Sequence, residues 1–145
     1  MGLHHTYHGI RVLDLSENIA GPLACMIMAD LGADVIKIER IDGGDSTRSL
    51  PPQREGTGTV FSTVNRNKRS VALNLASETG RDAVLRLART ADVVVESFRP
   101  GVADRLGLGF DDVTAVNDKV VYCSISAFGR GPLGHDRPGY DALVQ

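Results

Sequence analysis

The sequence has no tryptophan and only 5% aromatic residues, which disfavours a module that stacks nucleic-acid bases or encloses a cation between rings. It also has no excess of positive charge, because 16 Lys and Arg face 18 Asp and Glu for a net charge of −2. A general nucleic-acid binder needs a basic excess. The longest apolar run, residues 22–29, is far shorter than the roughly 20 residues of a membrane span. We therefore expect neither a nucleic-acid nor a membrane partner.

Cysteine is scarce, and the two that are present, Cys25 and Cys123, lie far apart in the chain. They form neither a disulfide framework nor a zinc-binding pattern, so a reducing cytoplasm is the expected compartment. Three histidines near the N-terminus offer possible metal ligands: His4, His5 and His8. We interpret them as part of a polar leader and expect no metal.

Five short apolar runs alternate with helical patterns. The runs that we predict as strands are Arg11–Leu15, Asp34–Glu39, Ser70–Leu75, Asp92–Glu96 and Lys119–Ser126. The unbroken valines of the fourth run indicate burial on both faces, which is typical of a parallel sheet. Strand–helix–strand alternation predicts an open parallel α/β sheet with right-handed crossovers.

The predicted helices cover residues 21–31, 78–89, 101–106 and 111–117, and a further helix is expected to begin near Tyr140. The first is apolar nearly all round, so we expect burial on several sides, with Gly32 as its stop signal. Ser77 is the expected N-cap of the second helix. Residues 41–59 are predicted to form one long loop.

Positive side chains flank several strands. Residues 65–70 (NRNKRS) hold three cations just before the third strand, Arg40 ends the second strand, and Arg99 and Arg105 follow the fourth. Taken alone, such a run is most simply a solvated loop face. Ligands of open α/β sheets bind beyond the carboxyl ends of the strands, and clustered cations repel unless an anion lies among them. We therefore expect these groups to converge on a polyanion.

Residues 129–134 match the pattern G-x-G-x-x-G of dinucleotide-binding turns. The genuine motif opens a helix directly after the first strand, where this chain holds only Gly21. Pro132 and Pro138 keep the matching segment in a loop conformation. We interpret it as a plain loop.

Several short motifs follow one another along the chain in a fixed order. They are residues 9–14 (GIRVLD), 20–22 (AGP), 31–40 (LGADVIKIER), Gly44-Asp45 with Arg48, 65–70 (NRNKRS), 91–93 (ADV), 98–101 (FRPG), 105–107 (RLG) and 137–141 (RPGYD). Together they resemble the N-terminal part of the class III CoA-transferase family. The resemblance extends from Gly9 to Gln145 and is specific as a combination.

The resemblance implies a fold and a ligand. The fold is the Rossmann-like N-terminal part of a larger, interlocked homodimer, with residues 1–8 as a leader and 9–145 as the CoA-binding domain. The ligand is coenzyme A, or an acyl-CoA, at the carboxyl edge of the sheet. The implied contacts are Ile19 and Ala20 near the thiol, Arg40 and Arg105 at the phosphates, Leu73, Asn74, Leu75, Ala76, Ser97, Phe98 and Arg99 around the adenosine, and Pro138, Gly139, Tyr140 and Asp141 along the pantetheine channel.

The resemblance also implies a reaction: transfer of CoA from an acyl-CoA to a carboxylate acceptor through an aspartyl-CoA thioester. The nucleophilic aspartate is expected beyond Gln145, so we expect this chain to be a fragment that is inactive alone. Asp141 is not that nucleophile.

Two positions depart from relatives within the family. Ile19 replaces a Gln of the formyl-CoA enzyme, which disfavours a formyl or oxalyl substrate. Tyr140 replaces a catalytic His of the racemases, and a phenol with a pKa of about 10 is a poor proton shuttle. Transfer is therefore favoured over the alternative of an acyl-CoA racemase. A stand-alone nucleotide-binding α/β module is the alternative that is not an enzyme. The acyl group and the acceptor are not specified by these residues.

Overall fold

Five of the strands form one parallel sheet in a computed structural model that describes residues 5–129, 131 and 139. The strands are β1 (Arg11–Asp14), β2 (Asp34–Glu39), β3 (Gln53–Arg54), β4 (Thr57–Gly58), β5 (Arg69–Ala72), β6 (Val93–Glu96) and β7 (Val121–Ser124). The helices are α1 (Ala20–Asp30), α2 (Thr59–Val64), α3 (Glu78–Ala88), α4 (Val102–Arg105) and α5 (Phe110–Thr114).

The large sheet has the order β5-β2-β1-β6-β7, and each neighbouring pair is parallel. This confirms the predicted open parallel α/β fold. The chain runs outward from β1 to β2 and β5, and then returns to the other side of β1, where it forms β6 and β7. Such a reversal opens a crevice at the carboxyl ends of the two central strands, β1 and β6.

Apolar residues cover both faces of the central strands. One cluster, against α3, includes Leu13, Ile36, Val84 and Val94, and the other, against α1, includes Val12, Cys25, Val35 and Val95. The alternation follows from the period of two in a strand. It confirms the two-sided burial expected for the valines of β6.

Burial also raises the pKa of the Cys25 thiol, which lies beneath α1, to about 12. The other cysteine, Cys123, is exposed on β7. The thiol inside the fold is therefore held in its neutral form.

The prediction that α1 is buried on several sides is wrong for its outer face. Ile19, Leu23 and Ile27 lie four residues apart and are 51%, 38% and 49% exposed. The sheet covers one side of the helix, where Cys25 is fully buried. Within the described part of the chain, the outer stripe remains open to solvent. The stop is as predicted, because Gly32 adopts a φ of +103° after the helix.

The segment predicted as one long loop contains regular structure. Residues 46–48 form a 3-10 turn that begins at Asp45, whose side chain accepts from the Thr47 amide at 2.9 Å. β3 and β4 then pair as a hairpin. Its two turn residues, Glu55 and Gly56, both have positive φ, as a type I′ turn requires. Short elements of this kind carry too few residues for a periodic signal.

β5 and β7 end earlier than predicted because their partner strands end first. Ala72 at the end of β5 pairs with Glu39 at the end of β2, and Ser124 of β7 pairs with Glu96. The predicted cap of α3 is confirmed, since the Gly80 amide donates to Ser77 Oγ at 3.1 Å.

The expectation that the cations of residues 65–70 join a polyanion site is wrong. Arg66 pairs with Asp30 at the end of α1, and Arg69 pairs with Asp34 at the start of β2. Both contacts lie at the amino edge of the sheet. Lys68 points inward and is 2% exposed. Carboxylates of the protein itself already neutralise all three cations.

A buried lysine joins the sheet to the loop beyond it. Lys37 of β2 is 1% exposed; its Nζ lies 2.9 Å from the carboxylate of Asp45 and donates to the Ser16 carbonyl at 2.8 Å. The carboxylate of Asp14 lies 4.0 Å from the Lys37 Nζ. It also accepts a hydrogen bond from the ammonium group of Lys68, at 2.8 Å. Charges removed from water persist where such partners replace the lost hydration.

A second ionic contact closes the same loop onto β2. Arg48 donates to both carboxylate oxygens of Glu39, at 2.6 and 2.7 Å, and its guanidinium lies 3.8 Å from the Phe61 ring centroid. Burial alone would raise the pKa of Glu39. Hydrogen bonds from Arg48, Ser70 and the Asp45 amide outweigh that effect and hold the pKa at about 2.

At the N-terminal end of the described chain, the Tyr7 amide donates to the Leu31 carbonyl at 2.9 Å. The domain boundary at residue 9 stays a prediction.

Across residues 5–129, 131 and 139, no helix combines the length and apolar character needed to cross a membrane. The helix expected near Tyr140 lies outside the described residues.

Replacement of Lys37 by Met should lower the free energy of unfolding by about 3–5 kcal/mol, because it leaves Asp45 buried without its cation. Urea unfolding of the intact protein measures this loss. The matched control is Lys119→Met, at an exposed lysine, which should cost less than about 0.5 kcal/mol. Equal losses in the two variants would contradict the central role of Lys37.

Stability should fall in acid as Glu39 is protonated. Its folded-state pKa of about 2 lies below the unfolded value of about 4.3, so its contribution is complete above about pH 5 and is lost toward pH 2. Glu39→Gln should lose about 3 kcal/mol at pH 7 and show a flatter acid profile. Glu55→Gln, at an exposed carboxylate, should keep the parental profile. Parallel acid profiles for Glu39→Gln and the parent protein would count against this.

Candidate functional site

A cleft of about 350 Å³ opens at the carboxyl edge of the sheet. The residues that line it are Leu15, Glu17, Ile38, Glu39, Arg40, Ile41, Asp42, Leu73, Asn74, Leu75, Ala76, Phe98 and Leu106. They come from the last residues of β2, from the segments that follow β1, β2, β5 and β6, and from the end of α4. This is the edge at which open α/β sheets bind ligands.

The walls of the cleft are held by the ends of the strands. The Leu73 amide donates to the Glu39 carbonyl at 2.9 Å, so the hydrogen bonding between β2 and the chain after β5 continues one residue beyond the strand. Asn74 then turns it, since its side chain accepts from the Ala76 amide at 3.1 Å. Phe98 is held by its amide, which donates to the Glu96 carboxylate at 2.8 Å. Leu73, Leu75 and Phe98 thereby contribute apolar side chains to the lining of the cleft.

The crevice between β1 and β6 is bridged by a serine. Ser97 Oγ accepts from the Glu17 amide at 3.0 Å, which connects the segments after these two strands. The next turn is tight, because a Cβ at Gly21 would stand 2.3 Å from the Ser16 side chain. Only glycine fits there, which gives a physical reason for the Gly of the AGP motif.

Arg40 is the one basic residue among those that line the cleft in the described part of the chain. Its guanidinium donates to the Gly44 carbonyl from Nε at 3.2 Å and from Nη2 at 3.1 Å. Glu17 Oε1 lies 3.3 Å from the same Nε. Burial, opposed by Arg40, raises the pKa of Glu17 above its ordinary value. The cation of the cleft is thus paired within the protein.

The structure brings together some of the predicted contact residues. Those that line the cleft are Arg40, Leu73, Asn74, Leu75, Ala76 and Phe98. Ser97 instead bridges the crevice beside it, and Ile19 and Ala20 lie at the start of α1, two and three residues beyond Glu17.

Of the remaining predicted residues, those that the structure describes are not in the cleft lining. Arg99 and Arg105 are exposed and stand outside it. Gly139 approaches Ala127 so closely that a Cβ would stand 1.9 Å from the Ala127 Cβ. Pro138, Tyr140 and Asp141 lie outside the described residues. For all of these, contact with a ligand stays a prediction.

Three acidic residues of the lining, Glu17, Glu39 and Asp42, were not predicted as site residues. Glu39 ends β2, whereas Glu17 and Asp42 follow a strand at its carboxyl end, as Arg40 does, and that position was the available signal. Their negative charge opposes an anion, so a pattern of cations that indicates an anion site does not include them.

Metal ligands are not gathered anywhere in the described part of the chain, because no three His, Cys, Asp or Glu residues there lie close enough to share an ion. His4 lies outside the described residues. Of the G-x-G-x-x-G match, Gly129 and Gly131 are described, and Gly131 is exposed. The cleft has an apolar wall, one cation and several carboxylates, which suits it to binding a ligand that is part apolar and part ionic.

Comparisons with known proteins point to one family. The model of CoA-transferase family III matches residues 7–145. The chain is 46% identical to mouse succinyl-CoA:glutarate CoA-transferase over 138 residues, which is 94% of this chain and 31% of that enzyme. It is 44% identical to acetyl-CoA:oxalate CoA-transferase from Acetobacter aceti over 140 residues, which is 96% of this chain and 36% of that enzyme.

Solved structures agree with the sequence relatives. A CaiB/BaiF family protein from Brucella suis superposes with a TM-score of 0.88 at 41% identity, covering 94% of this chain and 37% of that protein. Rv3272 from Mycobacterium tuberculosis gives 0.86 at 45% identity, with 94% and 37% covered. The chain therefore spans about a third of the length of the curated relatives it matches. With a family match along nearly all of its length, the chain belongs to CoA-transferase family III.

Proposed function

We propose that this chain is the CoA-binding part of an acyl-CoA:carboxylate CoA-transferase. The observation that carries the proposal is the cleft at the carboxyl edge, in a chain of this family. Three segments that the resemblance implies as CoA contacts, at Arg40, residues 73–76 and Phe98, line one cleft. They are far apart in the sequence and meet only through the order of the strands.

The cleft suits the nucleotide end of CoA. Leu73, Leu75 and Phe98 offer apolar surface to a base, and Arg40 offers a charge-assisted bond to a phosphate. CoA carries three phosphate groups, so Arg99 and Arg105 remain proposed contacts outside the cleft lining. Binding energy from this remote end of the substrate would hold the thioester in place for the reaction.

The proposed chemistry uses an aspartate supplied beyond residue 145. Its carboxylate attacks the thioester carbonyl, the C–S bond breaks, and the CoA thiolate departs. The product of this step is a mixed anhydride of the aspartate and the acyl group. The thiolate then attacks the aspartyl carbonyl, which releases the first carboxylate and forms an aspartyl-CoA thioester. The acceptor carboxylate repeats these steps in reverse order. No external oxidant or reductant is required.

The relatives suggest the class of substrate. Their names include succinyl-CoA:glutarate and acetyl-CoA:oxalate CoA-transferases, so we propose an acyl-CoA donor and a small carboxylate acceptor. Within that class, Ile19 disfavours formyl and oxalyl groups. The proposal also includes a Rossmann-like domain over residues 9–145, an interlocked homodimer and a cytoplasmic location.

Exchange of CoA should be detectable in the intact protein. Incubation of succinyl-CoA or acetyl-CoA with a panel of carboxylates should yield new thioesters, measured by mass spectrometry.

Deuterium should not enter the α-carbon of a 2-methylacyl-CoA, because Tyr140 stands where racemases have His. Rapid deuterium entry without exchange would favour a racemase, and CoA binding without either reaction would favour the binding module. The chain of residues 1–145, which lacks the proposed nucleophile, should not turn over.

Loss of Arg40 should weaken CoA binding. A charge-assisted hydrogen bond contributes about 1.5–3 kcal/mol, so Arg40→Ala in the intact protein should bind CoA roughly ten- to a hundredfold more weakly. Arg86→Ala, on the exposed face of α3, is the matched control and should change affinity little. Calorimetric titration measures both.

Dephospho-CoA then identifies the phosphate that Arg40 contacts. If Arg40→Ala binds this ligand as well as the parent protein does, Arg40 contacts the 3′-phosphate. An unchanged penalty assigns it to the diphosphate. Equal CoA affinities for Arg40→Ala and Arg86→Ala would refute the proposed site.

A further inference from the structure

The cleft carries more negative than positive charge, which is unexpected for a phosphate site. Its lining within the described residues has one basic side chain, Arg40, and three acidic ones: Glu17, Glu39 and Asp42. Glu39 is neutralised by Arg48 from outside the cleft. Glu17 is different, because its partner is Arg40 itself, at 3.3 Å.

The backbone of Glu17 is held so that its carboxylate stays beside Arg40. Ser97 Oγ accepts from the Glu17 amide at 3.0 Å and contacts its carbonyl oxygen at 3.4 Å. The next residue, Asn18, has a φ of 67°, and its side chain accepts from Ser46 Oγ at 3.0 Å. Two other segments, one after β6 and one after β2, thus hold the turn that presents Glu17.

We propose that Glu17 is the built-in counter-ion of Arg40, a specificity-determining residue that a bound phosphate group must displace from the guanidinium. This inference rests on the proposed function. A small anion gains only the contact with Arg40, which Glu17 already satisfies. A nucleotide also places its base on the apolar wall at Leu73 and Phe98, and that further contact favours displacement. Glu17 thereby selects against free phosphate and pyrophosphate.

Proton uptake should accompany this displacement. The charged groups that act on Glu17 are Arg40 and Lys37, which favour its carboxylate, and Asp45 and Glu39, which oppose it. A phosphate beside Glu17 adds negative charge, so it raises the pKa of the carboxyl further. Binding that raises a pKa is favoured as pH falls toward that pKa. Affinity for CoA should therefore increase in mild acid, through Glu17.

The test compares CoA affinity of the intact parent protein with that of Glu17→Gln, by calorimetric titration at about pH 8 and about pH 5.5. The variant keeps the amide contact to Ser97 and removes the charge. We expect about three- to tenfold tighter binding at the higher pH, from the loss of repulsion across a few ångströms of partly exposed cleft. The ratio of CoA affinities, Glu17→Gln over the parent protein, should become smaller at the lower pH and in 1 M salt. Ionisation of the ligand itself cancels in the ratio.

Two further measurements sharpen the comparison. Glu55→Gln removes a carboxylate that is 88% exposed on the β3–β4 hairpin and should bind CoA like the parent protein. Inorganic pyrophosphate, which has no contact with the apolar wall, should gain more affinity from Glu17→Gln than CoA does, because selection against it requires a change in the ratio of the two affinities. Thermal unfolding of each variant confirms that the fold is retained.

The outcomes separate this inference from the proposed function. Equal or weaker CoA binding by Glu17→Gln, at both pH values, overturns the counter-ion role and leaves the CoA site standing. An advantage that does not change with pH or salt also overturns it, because a purely steric effect would behave that way. No CoA binding by the parent protein or by either variant overturns both.

Discussion

Lys37 places a full positive charge where water does not reach it, so the surrounding chain has to replace its hydration. The Ser16 carbonyl and the Asp45 carboxylate do this, at 2.8 and 2.9 Å. One group belongs to the segment after β1, and the other belongs to the loop after β2. Satisfying this ammonium therefore brings both segments to the carboxyl edge of the sheet.

The cleft follows from that constraint. With Asp45 fixed, the 3-10 turn positions Arg48 against Glu39, and the Gly44 carbonyl comes within reach of Arg40. A ligand site built in this way depends on buried charges behind it, and substitutions in the network would disturb binding without touching the ligand. This is the arrangement that rigid sites need, in which supporting residues hold those that make contact.

The sheet was predictable from the sequence because its runs are apolar, β-branched and bounded by turn residues. Residues 46–58 were not, since a 3-10 turn and a two-residue hairpin leave no periodic pattern. The ion-pair partners of the charged residues could not be predicted from the sequence either. Arg66, Lys68 and Arg69 have the composition of an anion site, yet each meets a carboxylate that lies more than 30 residues away in the chain. Arg40 was predicted both from its place at the end of β2 and from the family resemblance, and Phe98 from the resemblance alone, whereas Glu17 needed the geometry.

The two thiols of this chain differ in exposure, so their rates of alkylation can measure local opening of the fold. Cys25 lies on the buried side of α1 with no exposed surface and a pKa of about 12, while Cys123 is exposed on β7. An alkylating reagent reacts with the thiolate and needs access to it, so it modifies Cys123 in the folded protein and spares Cys25. Cys25 becomes reactive when α1 leaves the sheet, and its rate of alkylation then measures how often that opening occurs.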